Sequence, residues 1–226
     1  MSTTTHRESG PASLDRTALA RRGVRSARAL APARPRRGAF EPRWRLAEVS
    51  GRLVELSGEG PAAWLTFAFA LVAESQRRGE PAAWVTVRGT SFYPPDAARD
   101  GIDLAALPVV FAPHATAAAR AAERLVRSGG FGVVVIDLVG VRPELPPALL
   151  SRLAGLAERH EAAVVCLTEK PAAAPSLGPL VSLRCEVRRD DPAGHAFTCR
   201  ATALRDKRRG QPWADVEVCR GPAGLC

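Results

Sequence analysis

Lysine is nearly missing from this chain: Lys170 and Lys207 are the only two among 32 basic residues, a bias that a GC-rich genome alone would produce. Cysteine is present without pattern. Cys166, Cys185, Cys199, Cys219 and Cys226 are odd in number and never fall in C-x-x-C spacing, so the sequence carries no zinc or dithiol signature. Four of them lie in or beside apparent strands, where cysteine serves as a small buried hydrophobe. Apolar runs are too short for a bilayer, and no basic n-region leads into a signal-type core, so no membrane is expected and a reducing cytoplasm fits best. His6, His114, His160 and His195 are scattered, none beside an activatable Ser or Cys, so no catalytic triad is assigned.

The charge that is present is uneven. Formal net charge is +9 over 226 residues, yet eleven arginines against Glu8, Asp15 and Glu41 put +8 of it before residue 46. Any broad attraction to nucleic acid therefore belongs to residues 1–45, a basic and partly disordered arm, and residues 46–226 form a nearly neutral core domain. Within the arm, SLDRTALARRGVRSARALA predicts a short helix with Ser13 as N-cap, bearing Arg21, Arg22, Arg25 and Arg28. Ala31 to Arg43, with Arg36 and Arg37, reads as a linker. The arm is a docking element for protein or nucleic acid, or else a solvated segment. Its Arg-rich, acid-poor composition also imitates an organelle transit peptide, as a minor reading.

The body alternates between the two periods of regular structure. Strands are expected at Leu53–Leu56, Ala82–Val87, Val109–Ala112, Val133–Ile136 and Ala163–Leu167. Helices are expected at Ala62–Arg78, around Pro95–Arg99, at Ala115–Arg127 and at Ala148–His160. Continuous apolar runs such as VVVI mark strands buried on both faces, and this rhythm implies a parallel sheet with helices on each side. From Val181 the period becomes two. Val181–Val187, a turn at Asp190–Gly194, Phe197–Ala203 and a last strand near Asp215–Cys219 predict an antiparallel extension.

The stretch GRLVELSGEGPAAWLTFAFALVAESQRRG, Gly51 to Gly79, is a strand, a glycine turn and a helix, the arrangement that cradles phosphates on backbone N–H groups. Together with GIDLAAL, RLVRSGGFGVVVIDLV, VSLRCEVRRDD and ATALRDKRRGQPWADVEV, it resembles the core of RecA-type recombinases over about Gly51 to Val218. The resemblance implies a RecA-like α/β fold, mostly parallel and flanked by helices, with the C-terminal strands antiparallel. It also exposes departures. With the phosphate-loop pattern begun at Gly58, past Gly60, Ala63 takes the second glycine position, Trp64 the lysine and Leu65 the hydroxyl residue, while Thr66 falls one position late. An indole brings no cation for a phosphate and Leu65 no ligand for Mg²⁺. Trp64 reads as a packing plug, with adenine stacking as the lesser alternative. The family's catalytic glutamate is replaced by Arg88, which cannot act as a base. Asp137 stands where a Walker B aspartate belongs, or simply caps the next turn or pairs with an arginine. The loops 140–147 and 171–179, which grip DNA in recombinases, are short. Arg205, Lys207, Arg208 and Arg209 match the family's basic turn, a contact for phosphate or an acidic partner, or a solvated tip.

SFYPPDAARDGIDLAAL and WRLAEVSGRLVELSG place the likeness nearest the ImuA-type accessory proteins of mutagenic repair. That resemblance implies a pseudo-ATPase without cofactor or metal, an adaptor between a RecA-type recombinase and an ImuB-like polymerase homologue in SOS translesion synthesis. A SulA-like cell-division inhibitor and a weak DNA-binding ATPase are the alternatives. If the arm binds nucleic acid, filter-binding affinity will fall steeply between 50 and 200 mM salt, by about a hundredfold or more for several phosphate contacts, and will vanish when residues 1–45 are removed. A salt-independent affinity would show that arginine–phosphate pairing is not its basis.

Overall fold

A computed structural model describes residues 44–60, 62–87, 92–190 and 196–220. The arginines assigned to the arm, Arg45 excepted, together with Pro61, Arg88 and most of the turn at 190–194, lie outside the described residues. Five α-helices are described, α1 (Leu46–Val49), α2 (Trp64–Arg77), α3 (Pro94–Arg99), α4 (Ala115–Arg127) and α5 (Pro147–His160), with one 3-10 turn at Leu104–Ala106. They accompany eight strands, β1 (Arg52–Gly58), β2 (Ala82–Val87), β3 (Val109–Ala112), β4 (Val133–Leu138), β5 (Ala163–Glu169), β6 (Leu183–Asp190), β7 (Ala196–Asp206) and β8 (Ala214–Arg220).

All eight strands join one sheet in the order β3-β2-β4-β5-β1-β6-β7-β8. Pairing is parallel from β3 through β6 and antiparallel for β6-β7-β8, as the change of period predicts. The helices are layered on both faces. Phe67, Phe69, Leu71 and Val72 of α2 pack with Val54, Leu56, Trp84 and Val135, while Ala118, Ala122, Leu149 and Leu153 of α4 and α5 pack with Leu53, Val85, Ile136 and Val164. The four inner parallel strands β1, β2, β4 and β5 therefore bury both sets of their side chains, which is why they read as nearly unbroken apolar runs, whereas the edge strand β3 leaves Phe111 exposed.

Boundaries shift where pairing outruns the apolar signal. β1 continues beyond Leu56 because Ser57 and Gly58 stay in register with Thr168 and Glu169. β4 likewise runs through Asp137 to Leu138, paired with Leu167 and Thr168. α2 begins at Trp64, later than expected, with Ala63 as a cap that offers no side-chain acceptor. α4 has such an acceptor: His114 Nδ1 receives the Ala117 N–H at 3.2 Å. Trp44 is 5% exposed, with its indole N–H on the Phe67 carbonyl at 2.8 Å, so the packed body already includes this residue.

The antiparallel extension is fastened at the amino-terminal end of β1 by a buried ion pair. Arg52, 2% exposed, donates to Asp206 Oδ1 at 2.7 Å and to the Ser182 carbonyl at 2.7 Å. Asp206 also accepts the Trp213 indole N–H at 2.9 Å and the Arg208 N–H at 2.9 Å. Burial alone would raise this carboxyl; the Trp213, Arg52 and Arg208 donors outweigh it and hold the acid below its ordinary range. A lowered carboxyl stabilises the fold fully above its unfolded value and loses that contribution as pH falls through the folded one. Asp206→Ala strands the Arg52 charge, so urea denaturation at pH 7 is expected to show a loss of about 3 kcal/mol. The gap from wild type should close below about pH 4.

Candidate functional site

The carboxyl ends of the parallel strands are where an open α/β sheet presents a ligand site, and the Gly58–Thr66 stretch lies there between β1 and α2. Gly58 is required by packing. A Cβ at this position would come 2.6 Å from the Val187 carbonyl oxygen of β6 and 2.7 Å from the Ala62 side chain. Gly60 turns the chain at φ +60°, a conformation glycine adopts at little cost, and its carbonyl accepts the Ala62 N–H at 2.8 Å. The turn thus folds back on itself at Ala62.

Trp64, at the first position of α2, is 8% exposed. Its indole N–H donates to the Thr168 carbonyl at the end of β5, 3.1 Å away. Leu65 is half-buried against the apolar layer beneath α2. The Thr66 hydroxyl receives the Cys199 thiol at 3.7 Å and so faces β7, on the opposite side of β1 from Asp137. Asp137 is fully buried on β4, and β5 separates that strand from β1, which sets the two strands about 10 Å apart. Its Oδ1 accepts the Val139 N–H at 3.2 Å and its Oδ2 the Thr86 hydroxyl at 3.4 Å. The turn-capping role considered for it from the sequence is therefore present in the fold.

The strongest polar cluster at this end was not singled out from the sequence. Glu55, 0% exposed in the middle of β1, carries Lys170 on Oε1, with the Thr168 hydroxyl on the same oxygen at 3.0 Å. Oε2 accepts the Ser176 hydroxyl at 2.7 Å and the Leu177 N–H at 3.0 Å, with the Arg184 guanidinium 3.9 Å away. Arg184 reaches onward to the Ser57 hydroxyl at 3.1 Å and to the Pro171 and Ala174 carbonyls. Lys170 also holds the Pro175 carbonyl at 2.7 Å, and its backbone N–H donates to Gly58. The whole 171–179 loop is strapped over one buried carboxylate. The available signal was a glutamate inside an apolar run, LVELS, which is costly unless cations meet it.

The basic turn lies at the other end of the sheet. Lys207 bonds the Pro179 carbonyl, Arg208 the Ser50 carbonyl at 2.9 Å, and Arg209 pairs with Glu48, while Arg205 is exposed. Three of these four cations are bound to the body of the same chain. Of the described cysteines, Cys166, Cys185 and Cys199 are buried and Cys219 is half-buried: burial pushes Cys166 and Cys185 well above the usual thiol range, and burial beside Cys199 pushes Cys219 up to about 12.

Among known proteins, a family model of the RecA N-terminal domain matches residues 47–149, from α1 into α5. Protein RecA of Roseiflexus sp. (strain RS-1) is 30% identical over 137 residues, 53% of this chain and 38% of that protein. The RecA proteins of Thermotoga petrophila and Thermotoga maritima are each 31% identical over 112 residues, 48% of this chain and 31% of theirs. The chain spans less than two fifths of the length of these curated relatives. The likeness in sequence and the mixed, mostly parallel sheet together support a RecA-like α/β protein.

Glu55→Gln leaves Lys170 and Arg184 facing each other without an anion. A loss of about 3 kcal/mol in urea unfolding is expected, together with faster hydrogen exchange at the Leu177 amide and easier proteolysis within 171–179. Unchanged protection of Leu177 would show that the carboxylate does not hold the strap.

Proposed function

We propose that this RecA-like chain is a non-catalytic, cytoplasmic adaptor of the bacterial SOS response, joining a RecA-type recombinase to an ImuB-like polymerase homologue in mutagenic translesion synthesis. The observation that carries this reading is Trp64, buried at the first turn of α2 with its N–H committed to Thr168. A triphosphate with Mg²⁺ requires a cation, a hydroxyl ligand and open backbone N–H groups at that turn. An indole, the Leu65 side chain and a turn closed at Ala62 answer none of these needs, so on this reading the chain takes no ATP and Asp137 serves the fold.

The strapped 171–179 loop supports the same view. Its carbonyls and its Ser176 hydroxyl are engaged by Lys170, Arg184 and Glu55, which leaves a poor grip for single-stranded DNA. Function then resides in surfaces, with the N-terminal arginines a weak nucleic-acid contact. A fold shared with recombinases does not by itself carry their chemistry.

Purified full-length chain mixed with its cognate recombinase and polymerase-like partner should bind both in sedimentation or calorimetry. ATP turnover should match that of Asp137→Ala, at background. Failure to bind either partner overturns the adaptor reading; binding to the tubulin-like division protein instead would replace it with the SulA-like one. Turnover that Asp137→Ala abolishes would make the chain an ATPase.

A further inference from the structure

The groove beside β8 has not been given a role. β8 is the last strand of the described sheet, so one side of its backbone is not paired with a described strand. The Val216 N–H shows which side: it turns away from β7 onto the Asp215 carboxylate, 3.0 Å away. Because backbone direction repeats every second residue, Val218 presents its N–H and C=O outward as well. Glu217 precedes Val218 as Asp215 precedes Val216, but its carboxylate is turned into the groove and takes no hydrogen bond from the Val218 N–H. The Val218 side chain is 70% exposed and that of Val216 45%, a pair of β-branched residues facing solvent on the sheet face away from α2.

On the α2 side, β8 borders an open groove of about 580 Å³ with Phe67, Ala70 and Phe197 in its wall. Asp100, Asp215 and Glu217 line it, with Arg45, Arg77 and Arg99 at its exposed rim. The cations are partly engaged elsewhere. Arg99 leans on Asp96 at 3.5 Å, and Arg77 donates to the Ala73 carbonyl at 3.2 Å. Around Glu217 the acidic field prevails: burial, then Asp100 and Asp215, push its carboxyl up against the opposing pull of Arg45.

We propose that the Val216–Cys219 edge of β8 and its groove bind an extended segment of a partner protein in which basic and apolar residues alternate. The segment adds as a ninth strand. Its outward-facing main chain pairs with Val218, its basic side chains enter the groove toward Glu217 and Asp100, and its apolar ones cover Val216 and Val218. Main-chain pairing supplies affinity in such strand addition, and the alternating side chains supply selectivity. Glu217 and Asp100, toward which the basic side chains would enter, disfavour a phosphate backbone in that place. The site does not depend on which proteins the adaptor joins, so its failure is separable from failure of that reading.

Fluorescence anisotropy of the full chain with a labelled peptide of alternating arginine and valine, against an isomer with the arginines grouped, tests it. The alternating peptide should bind at least tenfold tighter. Glu217→Lys should weaken it about tenfold, and Val218→Pro, which removes one outward N–H at a tolerated edge position, should abolish the preference while circular dichroism stays unchanged. Equal affinity for both peptides, or for wild type and both variants, overturns the proposal. So does a dimer of the chain that Val218→Pro dissolves while no peptide binds, which would assign the edge to a second copy.

Discussion

A carboxylate with no access to water sits in the middle of the central strand, and the carboxyl end of the sheet is arranged to satisfy it. Glu55 is tolerable only because Lys170, Arg184, two hydroxyls and a backbone N–H converge on it. These partners come from β5, β6 and the connection between them. Their convergence draws that connection down over the sheet, and it also fixes the end of β5, whose Lys170 N–H closes on Gly58. The position of the glycine turn therefore follows from a charge three residues earlier in the same strand.

β1 bears a second buried charge of opposite sign on its other face. Arg52 holds Asp206, and with it the turn between β7 and β8. Two ion groups on one strand thus tie two β-connections to the parallel core: the 171–179 loop between β5 and β6 through Glu55, and the 207–213 turn between β7 and β8 through Asp206. β7 accommodates this with one extra residue, Leu204, opposite the Arg184–Cys185 step, where the register shifts. The bulge lets Arg184 face the strap while Asp206, two residues beyond Leu204, still meets Arg52.

The sheet itself was legible because burial on both faces leaves an unbroken apolar word such as VVVI, and because Val181–Val187 alternates. What escaped was set by partners distant in sequence. Glu55 and Ser176 are 121 residues apart, Arg52 and Asp206 154, and no local period announces either meeting. Strand ends escaped for the same reason: Ser57, Gly58 and Asp137 are not strand formers by nature, and neighbouring strands recruit them by register. The basic turn at 205–209 looked free because its acceptors, Glu48, Ser50 and Pro179, are carbonyls and a carboxylate lying elsewhere in the chain. At the glycine turn, the residue types were plain from the sequence; the closure of Ala62 onto Gly60 was not.

Trp64 has a consequence for how sequences of this kind can change. A lysine there would vacate the volume filled by a buried indole, withdraw the donor on Thr168 and set a charge at a position 8% exposed. The indole is thus a tie between the start of α2 and the end of β5, and residue 64 in this chain is held by volume and by one donor at once, so that a substitution there is felt in two elements.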